Sequence, residues 1–211
     1  MRCYMTQKRE SILFNWPNIL TFGRILAIPL LVVFFYLPYH WAHTASTIIF
    51  MVAAFTDWLD GYLARYLQQT TSLGAFLDPV ADKLMVSIAL MLIVAEQTFK
   101  YVSVPDMILT IPTAIITIPA MIIVAREIIV SALREWMAEL GKRASVKVTS
   151  LGKIKTAVQM LAIVILLYCD GATNATLIFT GLVLLYISAL LTIWSMLIYL
   201  KAARLAMQTN I

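Results

Sequence analysis

Asp57-Trp58-Leu59-Asp60-Gly61-Tyr62-Leu63-Ala64-Arg65, followed after eight residues by Gly74-Ala75-Phe76-Leu77-Asp78-Pro79-Val80-Ala81-Asp82, places four of the chain's six aspartates within 26 residues. Spacings of three and four predict two helices, each presenting a pair of carboxylates on one face, so that the pairs meet as one site. Among apolar neighbours such as Phe55, Leu59, Phe76 and Leu77, four like charges repel and some must take up protons unless a cation answers them. Oxygen donors without Cys or His suit a hard divalent ion, magnesium or manganese, and two such ions would neutralise the quartet. A plainer reading is that single aspartates cap helices, Asp78 ahead of Pro79 having the form of an N-cap before a first-turn proline. The clustering of four argues against capping alone.

Working outward, 62% hydrophobic and 13% charged residues in a chain of 211 are far from the composition of a soluble domain. The fold class expected is all-α: a polytopic membrane protein of six transmembrane helices with a short N-terminal interfacial amphipathic segment. The net charge of +5 does not point to nucleic acid, because no basic stripe interleaved with aromatics lies outside the apolar runs. Basic residues beside membrane spans set topology and meet anionic lipid. Cys3 and Cys169 have no metal-ligand spacing and fall on opposite sides of the expected topology, so no disulfide is expected.

Residues 1–18 carry Arg2, Lys8 and Arg9 ahead of Ile12, Leu13, Phe14 and Trp16, which reads as a juxtamembrane segment lying in the interface. Residues 19–205 form the membrane domain. A basic start before an apolar run also resembles a secretory signal, but the run Ile19 to Leu37 is span-length and further spans follow, so it is read as retained. Arg24 lies about one turn inside this span and can snorkel or face a polar site. The second span starts near Thr44 and carries Asp57 and Asp60 near its far end; the third opens near Gly74 and runs to about Val94. His40 and His43, beside Tyr39 and Trp41, read as an interfacial belt more readily than as metal ligands. Glu96 to Asp106 is read as a loop and Met107 to Ala125 as the fourth span, kinked at Pro112 and Pro119 and prolonged as a helix through Glu135. Then come the basic stretch with Lys142, Arg143, Lys147, Lys153 and Lys155, and spans five and six, about Ile154 to Tyr168 and Ala175 to Leu200.

Of sixteen Lys and Arg residues only Lys100 falls in a loop opposite the termini, which puts the termini, the aspartates and the basic stretch at the cytoplasmic face of a plasma membrane. No internal repeat of the transporter kind is visible. A divalent-cation transporter is the competing class, but its carboxylates belong near mid-membrane, whereas these sit at the ends of their spans. A metal site at the membrane boundary beside a basic region suits a lipid diphosphate and a small anionic second substrate. Arg126, Arg134, Lys153 and Lys155 are the candidates for that second anion; their plainer role is topology and headgroup contact. Gly152-Lys153 imitates the end of a P-loop, but Lys147 stands where the upstream Gly is required.

The string Asp57-x2-Asp60-Gly61-x2-Ala64-Arg65-x8-Gly74-x3-Asp78-x3-Asp82 resembles the complete signature of the CDP-alcohol phosphotransferase family. Flanking strings extend the resemblance over nearly the whole chain. They are Asn15-Trp16-Pro17-Asn18 with Thr21 and Arg24, Ala125-Arg126-Glu127 with Ser131 through Trp136, and Gly152-Lys153-Ile154-Lys155-Thr156 with Gln159, and they resemble bacterial members whose acceptor is sn-glycerol 3-phosphate. The chain departs from that subfamily between Val94 and Ala125, where it is longer than usual.

The resemblance implies a homodimer, a divalent-metal site and transfer of a phosphatidyl group from CDP-diacylglycerol to the 1-hydroxyl of sn-glycerol 3-phosphate, with release of CMP. Carried over by position, Asp57, Asp60 and Asp78 bind metal, and Asp82, also near the metals, is the base. Gly61, Ala64, Arg65, Thr71 and Gly74 match positions on the CDP side, with Asn18 and Thr21 as further candidates there. The basic set argues for a phosphorylated acceptor and against serine. The membrane's own lipids complete the partners expected, and nucleic acid is not among them.

Overall fold

In a computed structural model of the chain, the residues described are 16–67, 72–96, 99, 101–104, 107–139, 150–170 and 173–208. They form six helices: α1 (Trp16–Phe35), α2 (Ala42–Leu67), α3 (Ser72–Ala95), α4 (Ala114–Glu139), α5 (Ser150–Tyr168) and α6 (Ala175–Gln208). Between α3 and α4 stand two short strands, β1 (Tyr101–Val104) and β2 (Met107–Thr110). The interfacial segment expected before Trp16 lies outside the described residues, as does most of the basic stretch before α5.

The chain divides into two compact units, the first ending at Leu92. In the first, α1 and α2 pack along one another around a core that includes Leu31, Phe35, Phe50 and Ala53. Their connection is aromatic: the rings of Tyr39 and Trp41 stack at 5.6 Å, and His43 meets the Phe35 ring edge-on at 4.9 Å. The buried hydroxyls of α2 donate to carbonyls one turn back, Ser46 to Ala42 at 2.9 Å and Thr47 to His43 at 2.8 Å, which leaves no polar group of theirs to face an apolar neighbour. α3 begins at Ser72, so Asp78 and Pro79 lie within the helix and the N-cap reading of Asp78 falls.

In the second unit α6 packs on both α4 and α5. Gly181 marks a close approach to α5: a Cβ there would stand 2.8 Å from the Leu166 side chain and 3.1 Å from that of Ile165. The turn between α5 and α6 is tied by Thr173, whose hydroxyl donates to Asp170 Oδ1 at 2.7 Å and accepts from the Asp170 amide at 2.8 Å. Asn174 Oδ1 then caps α6 by accepting the Thr176 amide. Cys169 is a free, buried thiol; burial first, and then the neighbouring Asp170 carboxylate, push it up to about 11.

The helices bear out the all-α expectation, and a short strand pair between α3 and α4 corrects the limits expected for the fourth span. β1 and β2 are antiparallel, in register from Tyr101 opposite Thr110 to Val104 opposite Met107. The run Met107 to Ala125, read as one span, is therefore a strand followed by a helix beginning at Ala114. The cause is local: Tyr101, Val102, Val104, Ile108 and Thr110 favour a pleated backbone. Pro112 is not a kink. Its carbonyl accepts the Ile115 amide at 2.9 Å, and that of Thr113 accepts Thr117 at 3.0 Å, so the proline starts the turn that opens α4.

Among the described residues, Ala114–Glu139 and Ala175–Lys201 are long and apolar enough to cross a membrane, while Leu20–Phe35 and Ile154–Tyr168 are shorter apolar helices. α6 turns Val183, Tyr186, Leu190, Trp194 and Leu197 outward, an apolar stripe at helical spacing.

Candidate active site

Each unit gathers charge, of opposite sign. In the first, Arg24 of α1 forms an ion pair with Asp57 of α2, and its Nη1 lies 3.6 Å from Oδ1 of Asp78 of α3. The Thr21 hydroxyl, one turn before Arg24, donates to the same Asp78 oxygen at 3.2 Å. A charge as buried as Arg24 is tolerated only with a counter-charge, and two carboxylates from two other helices supply it. Their side chains remain 39% and 43% exposed, while the Arg24 side chain is 1% exposed. The guanidinium thus holds the pair from behind, leaves one negative charge in excess and leaves carboxylate oxygen accessible. That donor set, all oxygen, anionic and pre-paired, fits a hard divalent cation.

The side chain of Asp60 lies outside the described residues; Asp82 is half-buried one turn along α3 from Asp78. No three His, Cys, Asp or Glu side chains converge as a metal-ligand group among the described residues. The side chains at Asn18, Gly61, Ala64, Arg65, Gly74 and Lys153, and Thr71 altogether, also lie outside them. Thr21, expected on the CDP side, is buried and directs its hydroxyl to Asp78.

In the second unit two cations meet one acid, and a third shares a tyrosine with one of them. Arg126 and Arg134, two turns apart on α4, both face the Tyr199 ring of α6, at 5.9 and 5.2 Å from its centroid. Arg134 Nη2 donates to the Tyr199 hydroxyl at 3.2 Å, and Arg126 Nη2 to the Ser195 hydroxyl, one turn earlier on α6, at 3.1 Å. Lys155 of α5, 1% exposed, donates through Nζ to Glu127 Oε1 at 2.5 Å. The same oxygen accepts Arg126 Nη1 at 3.0 Å. Among the described residues, buried Arg126 Nε has no hydrogen-bond partner. Three of the four cations expected to bind the second anion are therefore brought together, with an excess of positive charge and an unfilled buried donor.

Sequence reasoning missed three participants. Ser195 and Tyr199 sit in the apolar run of the last helix, where only their spacing of four marks them. Glu127, the acid beside Arg126, carried the one readable signal: an acidic residue at the head of a basic set.

Comparison with known proteins agrees. A profile of the CDP-alcohol phosphatidyltransferase family matches residues 14–194. The chain is similar to the CDP-diacylglycerol–glycerol-3-phosphate 3-phosphatidyltransferase of Salmonella choleraesuis (strain SC-B67), 50% identical over 191 residues that cover 90% of this chain and 96% of the relative. Proteins of the same name from Escherichia coli (strain K12) and Shigella flexneri serotype 5b (strain 8401) are each 49% identical over the same shares. The signature aspartates lie inside the matched range, and the chain belongs to the CDP-alcohol phosphatidyltransferase family.

Proposed function

We propose that this protein transfers the phosphatidyl group of CDP-diacylglycerol to the 1-hydroxyl of sn-glycerol 3-phosphate, giving phosphatidylglycerophosphate and CMP. The observation that carries the reading is the cation cluster of Arg126, Arg134 and Lys155. Serine and phosphatidylglycerol offer no phosphate monoester to answer it, whereas glycerol 3-phosphate and inositol phosphate do. The names of relatives that are half identical almost end to end support the same pair of substrates.

Asp57, Asp60 and Asp78 are the proposed ligands of magnesium or manganese, two ions in number, and Asp82 the proposed base. When bound, the metal supplies positive charge to the diphosphate and its leaving oxygen. Arg24 and Thr21 keep Asp57 and Asp78 paired for that task, and Arg65, with the small residues Gly61, Ala64 and Gly74, serves the CDP side. Asp82 takes the proton from the acceptor hydroxyl, where position matters more than base strength. Support for a resident of the bacterial plasma membrane comes from the apolar helices and the outward stripe on α6. We extend this to six spans, an interfacial segment at residues 1–18, a site at the cytoplasmic face and a homodimer.

The test offers purified protein CDP-diacylglycerol with glycerol 3-phosphate, serine, inositol phosphate or phosphatidylglycerol in turn, and identifies the lipid formed. Phosphatidylglycerophosphate from the first acceptor alone is the expected result. A product from serine in preference would overturn the acceptor assignment.

A further inference from the structure

Glu127 is an acid in a set of groups whose proposed task is to bind an anion. On charge alone it opposes that task, and its geometry explains why it is there. One oxygen, Oε1, lies 3.0 Å from Arg126 Nη1 and 2.5 Å from Lys155 Nζ, so a single acceptor fixes the distal atoms of two cations carried by two helices. Both cations are buried, the Lys155 side chain at 2% exposure and that of Arg126 at 8%, while Glu127 is 24% exposed. Buried like charges at such range repel strongly, and neither can turn to solvent. Ser195 restrains only Arg126 and Tyr199 only orients the two guanidiniums. Among the described contacts, only Glu127 links Lys155 to Arg126.

We infer that Glu127 is the positioning residue of the acceptor site: its carboxylate clamps Lys155 to Arg126 so that both present their remaining donors to one phosphate of the acceptor. The inference rests on the acceptor reading above. Three cations against one carboxylate leave an excess that a phosphate monoester dianion answers. A clamp set before binding spares the ordering that flexible Lys and Arg side chains would otherwise undergo. A glutamine in place of Glu127 keeps the shape and one acceptor but removes the charge that holds two cations together.

The experiment uses the full-length enzyme in mixed micelles with saturating magnesium, at fixed salt and lipid charge. It reads Michaelis constants for both substrates, and inhibition by inorganic phosphate against glycerol 3-phosphate. Glu127→Gln is expected to raise the constant for glycerol 3-phosphate at least about tenfold and to weaken phosphate inhibition in parallel, while that for CDP-diacylglycerol moves less than about twofold. Glu127→Asp, which retains the carboxylate on a shorter stem, is expected to recover part of the loss and to leave a rise of about threefold. Adding Glu127→Gln to Lys155→Gln should worsen acceptor binding by less than about threefold, because the clamp has already lost one of its jaws. A constant that is unchanged or lowered in Glu127→Gln, the latter marking Glu127 as a competitor for the phosphate, overturns the inference. So do equal changes for both substrates. Should Glu127→Gln not accumulate, Glu127→Asp decides alone: a rise in the acceptor constant of about threefold with CDP-diacylglycerol unaffected supports the clamp, and no rise overturns it. If Arg126→Ala and Lys155→Ala weaken the acceptor and Glu127→Gln does not, the clamp fails and the acceptor site stands; if none of the three does, the acceptor reading itself fails.

Discussion

The two units solve the problem of buried charge in opposite senses. In the first, one buried cation, Arg24, is answered by two half-exposed carboxylates. In the second, one partly exposed carboxylate, Glu127, answers two buried cations, with a third beside them on Tyr199. The minority charge is the scaffold in both. Arg24 gathers anions and leaves a surplus suited to a metal; Glu127 gathers cations and leaves a surplus suited to a phosphate. The difference lies in exposure. The first unit hides its scaffold and shows its working groups, while the second hides its working groups and leaves the scaffold near the surface. Replacing a working group in the first unit should therefore remove a proposed metal ligand, whereas in the second it should leave buried partners without their ordering.

The sharpest way to break the comparison is at the carboxylates. Asp57→Asn, Asp60→Asn and Asp78→Asn should each reduce CMP release by roughly a thousandfold at limiting magnesium and weaken metal binding, because a neutral amide is a poor ligand for a hard cation. Calorimetric titration of magnesium reads the second effect without turnover. A variant of the three with near-normal turnover would remove that residue from the metal site.

Next in size is Asp82. If the proposed role as base holds, its replacement by Asn should cost about a hundredfold in turnover while CDP-diacylglycerol binding is kept. Loss of binding in step with turnover would place Asp82 among the ligands.

The basic set should show a smaller and more selective effect. Arg126→Ala, Arg134→Ala, Lys153→Ala and Lys155→Ala should each cost about 2 kcal/mol in acceptor binding, the worth of a charged hydrogen bond, with little effect on CDP-diacylglycerol. Measuring both Michaelis constants at fixed salt and lipid charge separates this from weaker attraction to anionic lipid. If all four variants act equally on both substrates, these cations set topology and the comparison loses its second half.

In the first unit the sequence pointed to Asp57 and Asp78, which meet at Arg24, because carboxylates at helical spacing survive any shift of a helix end by a residue or two. Arg24 was visible as a charge in an apolar run, but its partners lie 33 and 54 residues away in sequence, and no local pattern encodes that pairing. In the second unit the cations could be seen and their organiser could not: an acid among bases looks like surface charge until Oε1 of Glu127 is found between two nitrogens. The fold was legible where the apolar runs were long. It failed at residues 101–110, where a short apolar run fits a strand or a helix equally well and the choice rests on pairing with a neighbour.

The smallest predicted effect tests packing and not charge. Among the described residues, nothing beyond its own helix's backbone and chain neighbours lies within 4 Å of where a Cβ on Gly23 of α1 would stand, whereas at Gly181 of α6 that position is 2.8 and 2.9 Å from the Leu166 side chain. In the first case alanine adds helix propensity and removes freedom from the unfolded chain without a clash, so Gly23→Ala should stabilise by about 0.5–1 kcal/mol. In the second the same gain is opposed by overpacking between α5 and α6, which costs about 1–3 kcal/mol, so Gly181→Ala should be the less stable protein by about 1 kcal/mol. Because α6 also carries Ser195 and Tyr199, and α5 carries Lys155, a forced separation of these helices should loosen the acceptor before it touches CDP-diacylglycerol. Unfolding midpoints of both variants in one micelle, with acceptor Michaelis constants alongside, give the signs. If Gly181→Ala proves as stable as Gly23→Ala with an unchanged acceptor constant, the close approach of α5 and α6 does not set the cation cluster, and the contrast between the units is electrostatic alone.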